Sequence, residues 1–87
     1  MNVTEEIIAQ IKVLALSVTE ENYNAGVRKG YKLLLRLHDL GAEKESAYQV
    51  LEEYHNSLED SLSRDYIADI LDYIVGWFSP QNRIWNG

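Results

Sequence analysis

Apolar residues recur at helical spacing along the chain, in four separate stretches. The first stretch predicts a helix over residues 3–17. The second predicts a helix over residues 20–40, with Thr19 as one candidate cap at its start. Gly41 follows directly, and glycine readily takes the left-handed conformation that ends many helices. These features predict two helices joined by a short turn.

The third and fourth stretches predict helices over residues 43–58 and 64–78. Ser63 is placed to cap the last helix. Pro80 ends it, because proline disfavours a helical conformation in the residue before it. Residues 81–87 are then a short tail that we expect to fold back on the helices. The sequence therefore predicts an all-α fold, a four-helix antiparallel bundle with a short C-terminal tail packed on it.

Two glycines and a histidine mark the second helix. Gly26 and Gly30 each weaken a helix by about 1 kcal/mol relative to alanine, so their spacing of four predicts a neighbouring helix in close approach. His38 falls on the apolar side of this helix, and we expect it to be a hydrogen-bonded core residue. Neither feature by itself indicates chemistry.

Composition narrows the class of protein. The chain has 87 residues, 46% of them hydrophobic, and no cysteine. This fits a single helical domain over residues 1–87 without disulfides or thiolate metal sites. No positively charged leader or apolar run of about 20 residues is present, so we expect a cytoplasmic protein with no membrane anchor. The net charge of −6 argues against nucleic acid as a ligand.

The charges are segregated along the chain. Residues 43–72 carry nine acidic residues against Lys44 and Arg64. Four of the eight basic residues lie together in the second helix instead: Arg28, Lys29, Lys32 and Arg36. We expect these four to form a solvated face paired with neighbouring acids.

The fourth helix carries the main candidate binding surface. Asp65, Asp69 and Asp72 fall within about 60° of one another on a helical wheel. Tyr66 and Tyr73 lie along one edge of this stripe. Tyrosines supply rigid apolar area with a hydroxyl group, and the carboxylates attract Lys and Arg of a partner. The pattern predicts a surface for a basic protein, and a merely solvated face is the alternative.

Further residues extend this candidate surface. Tyr48, Glu52 and Glu53 belong to the third helix, and Glu59 and Asp60 follow it in the connection to the fourth. We expect these acidic residues to enlarge the negative field. Tyr54, in contrast, is expected to pack in the core.

The chain shows no catalytic motif, so we expect a protein that is not an enzyme and has no cofactor. Glu52 and His55 have the E-x-x-H spacing of di-iron bundles. Such sites need two of these pairs and two more carboxylates, whereas this chain has one pair. A carboxylate-bridged metal site is therefore a minor alternative, which metal analysis of the purified protein would test.

A cysteine-free chain of this length, with four predicted helices and carboxylates beside tyrosines, resembles bacterial immunity proteins. These are small cytoplasmic inhibitors of colicin-type or contact-dependent growth-inhibition toxins. The paired tyrosines of the nuclease-colicin inhibitors are adjacent, whereas Tyr66 and Tyr73 are seven apart, so no residue role is carried over. The resemblance implies a basic protein partner, such as the C-terminal nuclease domain of a toxin, bound by the acidic, tyrosine-bearing face.

Two other functions use the same features. A helical adaptor or self-assembling homodimer would use aromatic residues that include Trp77 and Trp85. An acidic mimic of nucleic acid would inhibit a DNA-binding protein through the same carboxylate stripe. No function is evident for the segment Gly76–Trp85.

Overall fold

A computed structural model of the chain describes residues 3–75 and confirms the all-α fold. This range forms four α-helices: α1 Val3–Ser17, α2 Tyr23–Asp39, α3 Lys44–Ser57 and α4 Leu62–Val75. Their order and approximate limits match the four predicted stretches. The predicted end of the last helix at residue 78, Pro80 and the tail over residues 81–87 lie outside the described residues.

The α2 helix begins later than predicted and ends where predicted. The backbone N–H of Thr19 donates to the side-chain oxygen of Asn22 at 2.7 Å, and the N–H of Asn22 donates to the Thr19 hydroxyl at 3.3 Å. This reciprocal pair holds a turn ahead of the helix. At the other end Gly41 has φ +86°, and Ala42 N–H reaches back to the Leu37 carbonyl at 3.0 Å. The prediction that Gly41 ends the helix is confirmed.

The α4 helix begins two residues earlier than the sequence suggested. Ser61, rather than the predicted Ser63, caps it, because the Ser61 hydroxyl accepts the N–H of Arg64 at 3.3 Å. The Ser61 carbonyl also accepts the N–H of Asp65 at 3.1 Å. Both serines precede the apolar stripe, and the hydrogen bonds of Ser61 identify it as the cap.

The α4 helix is the central element of the bundle. It packs against each of the other three helices, α1 also packs against α2, and α3 packs mainly against α4. The start of α1 meets the end of α2, so these two helices are antiparallel. All four helices supply fully buried side chains: Ile7, Ile11, Leu34, Leu37, Leu51, Tyr66, Ile67, Ile70 and Ile74.

The glycines of α2 allow α4 to approach closely. A Cβ atom at Gly30 would lie 2.5 Å from both Ile70 Cδ1 and the Tyr66 hydroxyl oxygen. A Cβ at Gly26 would lie 3.1 Å from Val18 Cγ1 and 3.5 Å from the Tyr66 ring. The predicted close approach along this edge is confirmed, and the helix that approaches is α4.

The side chains of His38 and Tyr54 were both predicted to lie in the core, and the structure shows where each one lies. The His38 side chain is 47% exposed, with Nδ1 3.7 Å from Asp39 Oδ1, so the prediction of a core histidine is wrong. Leu34 and Leu37 take the core positions on that turn of α2 instead. Tyr54 packs against the core as expected, with Lys12 Nζ 5.0 Å from the centre of its ring.

None of the helices within residues 3–75 has the length and apolar character needed to cross a bilayer.

Candidate protein-binding surface

Three aspartates follow the outer side of α4, as the sequence predicted. Asp65 is exposed, whereas Asp69 and Asp72 are half-buried. Burial raises the pKa of the Asp72 carboxyl, and the charge of Asp69 raises it further. Like charges on neighbouring turns therefore destabilise one another here.

A tyrosine from α2 joins this stripe. The hydroxyl of Tyr23 donates a hydrogen bond to Asp69 Oδ2. Burial, this hydrogen bond and the charges of Asp69 and Asp65 together raise the pKa of Tyr23 well above its ordinary value. Tyr23 is the first residue of α2, and no local signal in the sequence links it to a residue 46 positions away. Only the packing of α2 on α4 reveals the contact.

On the other side, α3 supplies a tyrosine and a carboxylate. A hydrogen bond between Tyr48 and Glu52, together with burial, raises the pKa of the Tyr48 hydroxyl. The charges of Glu52 and Asp72 contribute in the same direction. Tyr48 therefore interacts with the α3 carboxylate and is within electrostatic reach of Asp72 on α4.

These residues form one continuous patch, which we call the acidic surface and define as Glu52, Asp65, Asp69 and Asp72 together with Tyr23 and Tyr48. Within residues 3–75, none of its four carboxylates forms an ion pair with a lysine or arginine. The hydrogen bonds that its carboxylates accept come from the two tyrosines. The negative charge of the surface is therefore uncompensated by the described part of the chain.

Tyr66 was predicted to lie on this surface, and that placement is wrong. Its side chain is 0% exposed, and its hydroxyl donates to the Gly26 carbonyl at 2.7 Å. Burial raises the pKa of Tyr66 to about 12. The ring fills the space that the α2 glycines leave open, so Tyr66 cannot touch a partner while the protein is folded.

Tyr73 is half-buried and borders a different environment. Its ring packs against that of Tyr31, with centroids 5.1 Å apart and planes at 60°. Together with Arg28 and Lys32, these tyrosines line a cavity of about 190 Å³. Tyr73 is thus partly accessible, beside basic residues of α2 rather than within the acidic surface.

The remaining predicted contact residues are exposed, and none of the described contacts joins them to this patch. Glu53 is about 100° further round α3 than Glu52, on the side away from Tyr48. Glu59 and Asp60 lie in the connection between α3 and α4. Their place in a contact stays a prediction, since none of the contacts described above involves them.

The basic residues of α2 are solvated as predicted, but within the described range they are not paired as predicted. Arg28, Lys29, Lys32 and Arg36 are all exposed. Within residues 3–75 none of them forms an ion pair with a carboxylate, so the predicted pairing with neighbouring acids is wrong there. The bundle places the acids of α3 and α4 elsewhere.

The Glu52 and His55 pair has other partners. Glu52 interacts with Tyr48, and Nδ1 of His55 lies 3.2 Å from Asn56 Oδ1. In the part of the chain that the structure describes, no three His, Asp or Glu side chains are grouped to hold a metal ion.

The chain matches no protein-family model, no curated protein and no solved structure. The geometry and charge of its own surfaces are therefore the basis for a function.

Proposed function

We propose that this protein is a protein-binding inhibitor that neutralises a basic, nuclease-type bacterial toxin, as an immunity protein or antitoxin does. The observation that carries the proposal is the acidic surface. Four carboxylates from two helices converge there with two tyrosines, and no described lysine or arginine pairs with them. A partner that presents Lys or Arg would supply the missing positive charge.

The electrostatics of the surface favour such a partner. The raised pKa of Asp72 indicates that its ionised form destabilises the folded, unbound protein. A guanidinium or ammonium group bound beside Asp72 would offset that destabilisation. Charge complementarity of this kind speeds association and selects the partner more than it raises affinity.

The tyrosines give the surface directional contacts. Tyr23 and Tyr48 are half-buried, and each is held in place by a hydrogen bond to a carboxylate. Ordered aromatic side chains lose little conformational entropy on binding, and tyrosine is common among residues that dominate interface energies. The combination suits a protein interface better than a solvated face.

A nuclease domain fits the required partner, because proteins that bind nucleic acid present Lys and Arg to its phosphates. An acidic inhibitor would be steered toward that basic region at a rate that falls with ionic strength. The resemblance to immunity proteins in length, charge and helix content supports the same proposal.

The first test is to capture partners from the cells that encode the protein, at low and then moderate salt, and to identify them by mass spectrometry. We expect one basic protein that is released as salt rises, and whose nuclease activity the purified chain inhibits. Capture of a partner without a basic region, or lack of inhibition, would contradict the proposal. Capture of a DNA-binding protein that is not toxic would instead indicate that this protein mimics nucleic acid.

The second test reverses charge on the surface itself. In the double variant Glu52→Lys with Asp72→Lys, we expect association with the captured partner to slow by about tenfold or more at low salt, with a flatter salt dependence. Asp69 is left intact because its loss would also break the contact with Tyr23. The rates are measured by stopped-flow fluorescence or biolayer interferometry.

The matched control is Glu20→Lys with Glu21→Lys, which makes the same change in net charge at exposed positions outside the acidic surface. We expect it to slow association much less. Equal effects of the two double variants would show that net charge alone steers binding, and would remove the acidic surface as the contact.

A further inference from the structure

A second surface, of opposite character, lies between α1 and α2. A groove of about 540 Å³ separates the two helices there. Among the residues that the structure describes, its lining comes from α1 and α2 and includes Ala9, Gln10, Val13, Lys29, Lys32 and Arg36. No residue of the acidic surface contributes to it.

The α1 wall of this groove is apolar and open to solvent. Val13, in the groove wall, is 61% exposed, and Leu16, one turn further along α1 and outside the groove lining, is 66% exposed. These are the two highest values among the large hydrophobic residues of the described range. Together with Ala9, Val13 and Leu16 follow the i, i+4, i+7 spacing of a single helix face. None of the other described helices covers this face. Helix α1 therefore presents a hydrophobic stripe outward as well as one toward the core.

The α2 rim of the groove is cationic. Lys29, Lys32 and Arg36 recur at i, i+3 and i+7, which places them on one side of α2. Within residues 3–75 they form no ion pair. The only polar residue from α1 in the lining is Gln10, which is neutral. The groove thus combines an apolar floor with a positively charged rim that no described carboxylate neutralises.

We propose that this groove binds an amphipathic helix of a protein partner, with apolar side chains in the groove and acidic side chains facing Lys29, Lys32 and Arg36. The lining of α2 spans eight residues, about 11 Å along the helix axis, or two turns. Two or three apolar anchors at i, i+3 or i+4, and i+7 would fill it. A symmetric second copy fits poorly, because it would bring two identical cationic rims together.

This site is independent of the proposed toxin contact. It shares no residue with the acidic surface and carries the opposite charge, so failure of either proposal leaves the other standing. A protein with both surfaces would engage a basic partner through the acidic surface and an acidic helix through the groove between α1 and α2.

The test uses a fluorescently labelled synthetic peptide designed as an amphipathic helix, with leucines at i, i+4 and i+7 and glutamates flanking them. Fluorescence anisotropy is measured against the full chain. We expect saturable binding that weakens as salt rises. A peptide with the leucines replaced by serine is expected to lose binding, because the groove is lined mainly by apolar atoms.

Matched variants of the protein locate the binding. Val13→Asp should weaken binding by about tenfold or more, because it places a charge in the apolar wall. Lys29→Glu should weaken it about three- to tenfold. The controls are Arg28→Glu, an adjacent exposed cation outside the groove lining, and Val50→Asp, an exposed apolar residue of α3. We expect both controls to bind like the unsubstituted protein, with unchanged circular dichroism in all four variants.

Several results would overturn the proposal. One is an absence of binding, and another is an equal loss for Lys29→Glu and Arg28→Glu. A dimer in sedimentation equilibrium that Val13→Asp dissociates would show that a second copy occupies the groove. Both tryptophans of the chain, Trp77 and Trp85, lie outside the described residues. A shift of their emission in Val13→Asp without peptide would place the chain's own C-terminal segment there.

Discussion

Tyr66 occupies the position where α2 and α4 approach most closely. Its ring lies over Gly26 and Gly30, and its hydroxyl donates to the Gly26 carbonyl. Its ring also forms a T-shaped contact with the ring of Tyr23, with centroids 6.1 Å apart and planes at 86°. Tyr23 in turn donates to Asp69. One buried side chain thus connects the core of the bundle with the acidic surface.

Substitution of the two glycines should separate packing from helix propensity. Alanine gains about 1 kcal/mol of helix propensity at either site. At Gly30 the new Cβ would lie 2.5 Å from atoms of Ile70 and Tyr66, both fully buried, so overpacking should outweigh that gain. We expect Gly30→Ala to lower the free energy of unfolding by about 1–2 kcal/mol, measured by urea denaturation.

Gly26→Ala is the internal comparison. Its Cβ would lie 3.1 Å from half-buried Val18, which follows α1, and at an ordinary contact distance of 3.5 Å from the Tyr66 ring. We expect a change within about 0.5 kcal/mol of zero. A larger loss of stability in Gly26→Ala than in Gly30→Ala would contradict the closer approach of α4 at Gly30.

The Tyr66 hydroxyl provides a test in alkali. Tyr66→Phe removes the buried hydrogen bond to Gly26 and should cost about 1 kcal/mol at neutral pH. In the folded protein the pKa of Tyr66 is raised to about 12, so the unfolded state loses this proton first as pH rises through 10. Stability should therefore fall between about pH 10 and 12, and less steeply in Tyr66→Phe. Parallel curves for the two proteins would contradict this assignment.

At the scale of the element, α4 divides into two unlike sides. Its inner side is apolar, with Ile67, Ile70 and Ile74 fully buried. Its outer side carries the aspartates of the acidic surface. Because α4 is central to the core, it holds the aspartates of the acidic surface rigidly. This favours binding without rearrangement.

Neutralising single aspartates along α4 should have opposite effects on stability. The pKa of Asp72 is raised, so its ionised form disfavours folding at neutral pH, and the cost disappears as pH falls toward its usual value of 3.8. Asp72→Asn should therefore raise the free energy of unfolding at pH 7, with a gain that shrinks in acid. Asp65 lies in the first turn, where a negative charge stabilises the helix by interacting favourably with its dipole.

Asp65→Asn is accordingly expected to lower stability by about 0.3–1 kcal/mol at pH 7. Urea denaturation of both variants between pH 3 and 7 gives the comparison. Stabilisation by Asp72→Asn together with weaker partner binding would show that the carboxylate is retained for contact. A destabilised Asp72→Asn would show instead that Asp72 supports the fold.

At the scale of the whole molecule, charge is distributed by helix. The acids of α3 and α4 meet in the acidic surface, whereas the cations of α2 lie along the groove beside α1. The net charge of −6 does not reveal this separation. Within the described range, the acidic surface and the cations of α2 form no ion pairs with each other. The protein is thus polarised as well as acidic.

Ionic strength should reveal this uncompensated charge. Raising NaCl from about 0.05 to 0.5 M shortens the Debye length from roughly 14 to 4 Å and screens repulsion within the acidic surface. We expect the free energy of unfolding to rise by about 0.5–1 kcal/mol. The double variant Glu52→Gln with Asp72→Asn should show a smaller rise. Identical salt slopes would indicate that the acidic surface contributes no net repulsion.

The sequence by itself determined the elements. Each of the four helices reflects a local pattern of apolar spacing, and Gly41 ends α2 because few other residues accept φ +86°. The three aspartates of α4 share a side because residues three and four apart are neighbours on any helix. The paired glycines likewise indicated a close neighbour without identifying it.

Only the tertiary structure decided which side chains meet. Tyr66 and Tyr23 both belong to helical repeats, yet one is buried over glycine and the other reaches Asp69. The open groove beside Val13 also depends on which helix packs against α1 and where. A helical period fixes the angle of a residue around its own axis, but burial and contact depend on how the axes are arranged, and that arrangement is set by the fit of the whole core.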